Sequence, residues 1–247
     1  MANDPPRNIA AELAPSGKLR AAINFGNPVL VQKDKAAGPP RGVSPDLARE
    51  LAKRLGVPIE YVPYDAAGKV FDALQAGAWD VAFLAIDPAR AAGIDFTSPY
   101  VVIEGGYVVP ADSPLRRIED VDRGGVRVSV ARASAYELYL SRTLKHATLI
   151  REEGGDESVE RFLKDRLEVL AGVKQPLAAF AQSHPGMRLI PGRFMQIEQA
   201  MGTPKGRPVG ARYLRDFVEA MKASGFVAKA LAASGQGEAS VAPPAPR

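Results

Sequence analysis

The sequence predicts an α/β protein made of two similar units, because strand and helix patterns alternate twice along the chain. In the first half, strand-like segments at 18–24, 59–62 and 80–86 alternate with helix-like segments at 44–55 and 69–76. The strand at 80–86 is apolar throughout, which is typical of a strand covered on both faces of a sheet. The alternation restarts at residue 126, which predicts a second unit of the same kind.

Composition limits the classes of function. The chain has 247 residues, 46% of them hydrophobic, which is enough for two lobes with real cores. Its net charge of +4 is small and spread along the chain, so it does not resemble the basic face of a nucleic-acid-binding protein and favours a small anionic ligand. The absence of cysteine excludes disulfides and thiolate chemistry. No run reaches the ~18 apolar residues that a membrane helix needs.

The elements of the first unit follow from local signals. The strand at 18–24 leads into a turn at 25–28, and a polar loop follows at 32–42. We expect Ser44 to cap the helix at 44–55, whose leucines recur every four residues before Gly56 ends it.

The second unit shows the same alternation of predicted strands and helices. Strands are predicted at 126–131, 148–150, 167–171 and 187–190, with helices opening at Ser134, at 157 and at 174. Ser134 and Glu137 have the spacing of a capping box. After a return segment at 194–201 we expect a loop at 202–210, helices at 211–222 and 226–233, and a disordered Pro/Ala/Gly-rich tail at 235–247.

Ligands of such sheets bind beyond the carboxyl ends of the strands, where several candidates lie. Arg90 follows the strand at 80–86, and its planar fork of donors suits a carboxylate; a surface arginine is the alternative. Phe25 and Asn27 follow the first strand and are suited to covering a ligand's apolar body and bonding its polar end, with core packing the alternative for Phe25.

The second unit supplies further candidates. Ser134, Ala135 and the following amides form a helix N-terminus, which suits an anion, although a plain cap serves equally. Arg132 in the same turn adds positive potential or is simply solvated. Lys174 and Gln175 open another helix and are candidates for direct ligand contact.

One segment resembles a known family. A strand, a polar turn ending in Arg90 and the motif D-F-T-S-P-Y at 95–100 are similar to the signature of family 3 extracellular solute-binding proteins, and 42–55 and 126–139 also resemble that family. The resemblance implies a two-lobed periplasmic-binding-protein (Venus flytrap) fold of type II with two crossover strands. The lobes would be 1–104 plus 202–247, and 105–201. It also implies a monomer in the periplasm that traps a ligand in the interlobe cleft by hinge closure and delivers it to an ABC permease.

Departures from the family pattern point to the ligand. Ala85 stands where the family usually has a Thr or Ser hydroxyl that assists the arginine. Where the family has Gly-Thr before the first helix of the second lobe, this chain has Ala133-Ser134, which keeps the capping hydroxyl. Lys174 stands near the position where amino-acid binders carry an Asp for the α-ammonium. The resemblance and these departures together imply a carboxylate or dicarboxylate rather than a standard α-amino acid.

Catalysis has little support in the sequence. It contains no G-x-S-x-G, P-loop or H-E-x-x-H motif, and His146 and His184 are far from the predicted strand ends. We therefore expect no metal or other cofactor and a non-catalytic binding protein. One alternative is a dehydratase-type enzyme on the same scaffold. The N-terminal segment lacks the pattern of a signal peptide, so a second alternative is a cytoplasmic ligand sensor, if Met1 is the native start.

Overall fold

The computed structural model describes residues 7–33, 38–237 and 239–246. The chain forms two compact units. Unit 1 comprises Met1–Asp65, Lys69–Val102 and Glu198–Arg247, and unit 2 comprises Ala66–Gly68 and Ile103–Ile197. Apart from the short segment Ala66–Gly68, the sequence analysis placed the two main crossings a few residues later, at 104/105 and 201/202. Both observed crossings lie inside continuous strands, so no break in composition marks them.

The first half of the chain contains α1 (Arg7–Leu13), β1 (Leu19–Asn24), α2 (Val43–Leu55), β2 (Ile59–Tyr64), α3 (Ala67–Asp72), β3 (Val81–Ala85), α4 (Pro88–Ala91) and β4 (Ile94–Pro110). In unit 1, β2, β1 and β3 are parallel neighbours, and β3 pairs with an antiparallel return strand, β9 (Met195–Pro204). All five residues of β3 are buried, as its unbroken apolar pattern predicts. Two further helices, α8 (Pro208–Ala223) and α9 (Phe226–Ala233), complete this unit.

Unit 2 contains a 3₁₀ turn (Ile118–Asp120), β5 (Arg127–Ala131), α5 (Ala135–Thr143), β6 (Thr148–Glu152), α6 (Gly155–Lys164), β7 (Val169–Val173), α7 (Lys174–Ser183) and β8 (Met187–Leu189). Strands β7, β5 and β6 are parallel, and β4 is antiparallel to β7. Alternate residues face two separate cores: Tyr107 and Val109 of β4 join one, and Val108 joins the other. The sheet of unit 2 is therefore covered on both faces.

A buried carboxylate ties three elements of unit 1 together. Asp80, at the start of β3, is fully buried and binds Arg20 of β1 through two side-chain hydrogen bonds of 2.8 and 3.0 Å. Arg207, immediately before α8, donates to the same carboxylate at 3.2 Å. The bond to Asp80 raises the pKa of Arg20. This ion-pair network joins the chain near the starts of β1, β3 and α8.

The start of α2 differs from the prediction. The helix begins at Val43 after Gly42, and Ser44 does not cap it. Gly42 has a φ of 115°, and a side chain there would bring a Cβ within 2.4 Å of the Leu30 carbonyl oxygen. The helix therefore begins two residues earlier than a Ser44 cap would place it. The Ser44 hydroxyl is buried and hydrogen-bonded at 2.9 Å to the hydroxyl of Tyr100.

The predicted loop at 202–210 is also wrong. Gly202 to Pro204 extend β9, because Ala82 of β3 pairs with Gly202, and α8 begins at Pro208. Proline is well suited to the first turn of a helix, where its missing N–H leaves no bond unmade. No helix among the described residues is both long and apolar enough to cross a membrane.

The described tail residues 239–246 are ordered where the sequence analysis expected disorder. A short strand, β10 (Ser240–Val241), pairs antiparallel with Val101 and Val102 of β4, and Ala239 and Ala242 are buried. Lys222 of α8 donates to the Pro243 carbonyl at 2.8 Å. Composition misled the prediction because backbone hydrogen bonds and the side chains of Lys222 and Glu219, rather than large apolar side chains, hold this segment.

Removal of the tail should destabilise unit 1. A chain that ends at residue 238 loses the β10 pairing, the buried alanines and the Lys222 bond, so we expect its free energy of unfolding to fall by about 2 kcal/mol. Urea denaturation measures this. Ser240→Ala, which keeps the backbone pairing, is the control and should match the wild type; an unchanged stability of the shortened chain would contradict the prediction.

The Asp80 network gives a second stability prediction. Asp80→Ala leaves Arg20 and Arg207 without their shared carboxylate, and we expect a loss of about 3 kcal/mol in the free energy of unfolding. The control is Glu50→Gln, which removes the exposed Glu50–Arg54 pair of α2 and should cost less than about 0.5 kcal/mol. Equal effects of the two substitutions in urea denaturation would show that Asp80 is not a structural anchor.

Candidate functional site

Arg90 lies in α4, the short helix that follows β3. Asp87 caps this helix, accepting a hydrogen bond from the backbone N–H of Ala89 at 2.9 Å. The Arg90 side chain is turned inward, only 1% of the residue is exposed, and its Nη1 donates to the Ala85 carbonyl at 3.0 Å. A strand buried on both faces followed by a capped turn therefore places a guanidinium in the interior of unit 1.

Burial sets the electrostatics of Arg90. Desolvation lowers the pKa of Arg90 to about 10, and the nearby carboxylate of Asp87 opposes that shift. The guanidinium therefore stays protonated at neutral pH. A charge in a low-dielectric environment interacts more strongly with an opposite charge than it would in water, so this position favours an anionic partner.

Ala85, Phe25 and Asn27 surround the same end of the unit 1 sheet. Because β1 and β3 are parallel neighbours, the turns after them lie at one edge. Ala85 is buried, and its carbonyl, rather than a side-chain hydroxyl, meets Arg90. Asn27 is buried, and its Oδ1 accepts from the Val29 N–H at 3.3 Å. The ring of Phe25 is half-buried, with the Lys33 ammonium 5.7 Å from its centroid.

Ser134 and Ala135 form the start of α5 in unit 2. Ser134 is buried, and its hydroxyl accepts from the Glu137 N–H at 3.1 Å, which confirms it as the helix cap. The Glu137 carboxylate in turn accepts a hydrogen bond from the N–H of Ala133 at 3.1 Å. In a standard capping box it would accept from the N–H of the cap residue itself, here Ser134. Ala133 has a φ of 53°, and this left-handed conformation explains the displaced bond.

Arg132 lies in the same turn but forms an ion pair with Glu153. Its Nε and one Nη each donate to the Glu153 carboxylate at 3.0 Å, and both side chains are largely exposed. Such a bidentate pair offsets most of the positive potential that the sequence analysis assigned to Arg132.

Lys174 lies at the start of α7, and its ammonium is 2.7 Å from Glu104 Oε2. Arg193 donates to the other oxygen of Glu104, also at 2.7 Å. These hydrogen bonds lower the pKa of Glu104, that from Lys174 most, so the carboxyl is ionised at neutral pH. We name these three residues the Glu104 cluster.

Gln175 follows Lys174 in the first turn of α7. Its Oε1 is buried and has no hydrogen-bond partner within the described part of the chain. Strands β5 and β7 are parallel neighbours, so the turns at Ser134 and at Lys174 lie at the same edge of the unit 2 sheet. No group of three or more acidic or histidine side chains suited to a metal ion occurs among the described residues.

Two members of the Glu104 cluster were not predicted as site residues. The sequence suggested a structural role for Glu104 and no role for Arg193. A signal was nonetheless present, because Glu104 is the one charged residue in the apolar stretch 101–109. A lone charge in a strand otherwise suited to the interior needs a partner. Which residues supply it depends on the pairing of β4 with β7, and spacing along the chain does not show that pairing.

Solved structures share the fold over nearly the whole chain. A mutant of ArgBP from T. maritima is 19% identical, with 92% of this chain and 99% of that chain covered and a TM-score of 0.78. A solute receptor for L-cysteine from Neisseria gonorrhoeae is 22% identical, with 92% of each chain covered and a TM-score of 0.78. These similarities confirm the two-lobed periplasmic-binding-protein fold.

A third structure is an ancestral amino acid-binding protein described as a precursor of cyclohexadienyl dehydratase. It is 25% identical, with 90% of this chain and 96% of that chain covered and a TM-score of 0.74. No curated protein sequence matches the chain. The sequence profile of the bacterial extracellular solute-binding proteins, family 3, matches residues 19–233. Because that match spans most of the chain, the protein belongs to this family.

Proposed function

We propose that the protein captures a small organic anion through Arg90 and delivers it, unchanged, to an ABC permease. The observation that carries this proposal is the burial of a protonated guanidinium, 1% exposed, at the carboxyl edge of the unit 1 sheet. A guanidinium offers a planar fork that matches a carboxylate, and desolvation strengthens that pairing. A solute with at least one carboxylate is the ligand class that suits it.

The charge of unit 2 favours an anion over a zwitterionic amino acid. Lys174 and Arg193 contribute two positive charges against the single negative charge of Glu104, so the cluster is net positive. Each carboxylate oxygen of Glu104 already has a cation at 2.7 Å, so Glu104 is poorly placed to accept a ligand ammonium. Several similar proteins are described as receptors for amino acids or as parts of amino acid transporters, so an amino acid is the competing ligand in any test.

The state of Glu104 also favours binding over catalysis. A dehydratase on this scaffold needs a proton donor, and the lowered pKa of Glu104 keeps that carboxyl ionised at neutral pH. The similarity to a precursor of cyclohexadienyl dehydratase makes such an enzyme the second candidate. Turnover of a cyclohexadienyl substrate by the purified protein would establish it.

The cellular setting follows from the family. Family 3 proteins are extracellular solute-binding proteins, and we propose that this chain acts as a monomer in the periplasm beside its permease. A cytoplasmic sensor is the alternative. Fractionation of cells that express the native gene separates the two.

Arg90→Lys tests the proposed carboxylate contact. Lysine keeps the positive charge but loses the fork, so we expect carboxylate affinity to fall at least about tenfold. Isothermal titration calorimetry against a panel of dicarboxylates, oxo acids and amino acids measures the affinity. The matched control, Arg215→Ala, removes an exposed arginine from the same unit and should leave binding unchanged.

Two results would contradict this prediction. One is binding of the panel's best solute with equal affinity by wild type and by folded Arg90→Lys. The other is binding of zwitterionic amino acids alone. Thermal melting of each variant shows whether it is folded, since Arg90 also holds the Ala85 carbonyl.

A further inference from the structure

The Glu104 cluster is assembled by strand register. Gly105 of β4 is paired with Val173, the last residue of β7, so Glu104 lies beside the first residue of α7, which is Lys174. The next residue, Gly106, lies beside the lysine stem: a Cβ there would be in ordinary contact with it, 3.5 Å from Lys174 Cγ. The lysine therefore reaches Glu104 along the surface of β4.

The other cation is positioned by an aromatic neighbour. Phe194 stacks on Tyr107 with 4.4 Å between ring centroids, and its backbone N–H donates to the Gly105 carbonyl at 3.1 Å. A Cβ at Gly105 would lie 2.8 Å from the Phe194 ring, so glycine allows this close approach. The preceding residue, Arg193, is thereby held next to Glu104.

The cluster is accessible as well as ordered. The side chains of Glu104 and Lys174 are 31% and 32% exposed, and that of Arg193 is 48% exposed. A dissolved anion can therefore reach both cations, and it must compete with the carboxylate of Glu104 for them. The Glu104 carboxylate itself shows that these two donors can hold one carboxylate.

We propose that Glu104 is a specificity-determining residue that limits how strongly unit 2 attracts anions. By occupying Lys174 and Arg193 it leaves one net positive charge, which suits a solute group with a single negative charge and disfavours a more highly charged one. This inference rests on the proposed function, because it takes the Glu104 cluster as the part of unit 2 that meets the solute.

Such a role has a signature that a purely structural ion pair lacks. Removing the carboxylate frees both cations, so anion affinity should rise. A pair that only joins β4 to α7 would give a loss of stability with no gain in affinity. If Glu104 instead bound a ligand ammonium, its removal would weaken binding.

Calorimetry with glutarate, a dicarboxylate, and pyruvate, a monocarboxylate, tests the proposal. We expect Glu104→Gln to bind glutarate about fivefold more tightly than wild type, with a smaller gain for pyruvate, since partly exposed ion pairs have modest energies. Glu104→Asp, which keeps the charge, and Glu153→Gln, which neutralises the exposed acid that Arg132 binds, should not show this gain. Lys174→Gln removes one cation and should weaken glutarate binding about fivefold.

The outcomes separate this inference from the proposed function. If carboxylates bind and Arg90→Lys weakens them, but Glu104→Gln shows no gain or Glu153→Gln shows the same gain, only the role of Glu104 is overturned. Should Glu104→Gln fail to fold, unchanged glutarate binding by Lys174→Gln overturns it instead. If neither wild type nor any variant binds glutarate or pyruvate, both the inference and the proposed function fail.

Discussion

A charged guanidinium held in the interior of unit 1 is the constraint on which the proposed site depends. Burying an ion costs several kcal/mol unless opposite charge and hydrogen bonds compensate for it. The Ala85 carbonyl and the nearby carboxylate of Asp87 compensate for part of this cost, but burial still lowers the pKa of Arg90 to about 10. The burial of β3 on both faces and the capped turn after it place Arg90 there. A ligand carboxylate would add the compensation that a buried cation favours.

In unit 2 the candidate cations are partly exposed and paired with carboxylates, unlike the buried Arg90 of unit 1. The positive charge near its strand ends does not come from Arg132 or Lys174 alone, because Arg132 is paired with Glu153 and Lys174 with Glu104. The net excess comes from Arg193, which the contact of its neighbour Phe194 with β4 holds beside the same carboxylate. A lysine that appears isolated in the sequence thus belongs to a three-residue cluster, whose net charge still favours an anion.

The sequence predicted the alternation of strands and helices well, because hydrophobic period and capping residues act over a few neighbours. Arg90 is proposed as a ligand contact from a local motif, and the Ser134 cap was correctly predicted from a three-residue spacing. Features set by distant pairing were missed. Ser44 bonds to Tyr100 rather than capping α2, the tail is held by β4 and Lys222, and Glu104 meets its cations across paired strands. Composition and spacing do not show which residues of distant strands are paired, so these contacts could be identified only from the structure.

The most direct test of the carboxylate contact is to observe the Arg90 guanidinium during ligand titration. In ¹⁵N-edited NMR spectra, the Nε–Hε signal of Arg90, assigned with Arg90→Lys, should shift and saturate as a bound carboxylate solute is added. Its dissociation constant should equal the calorimetric value. A solute that saturates the protein while the Arg90 signal stays fixed would show that the anion is held elsewhere.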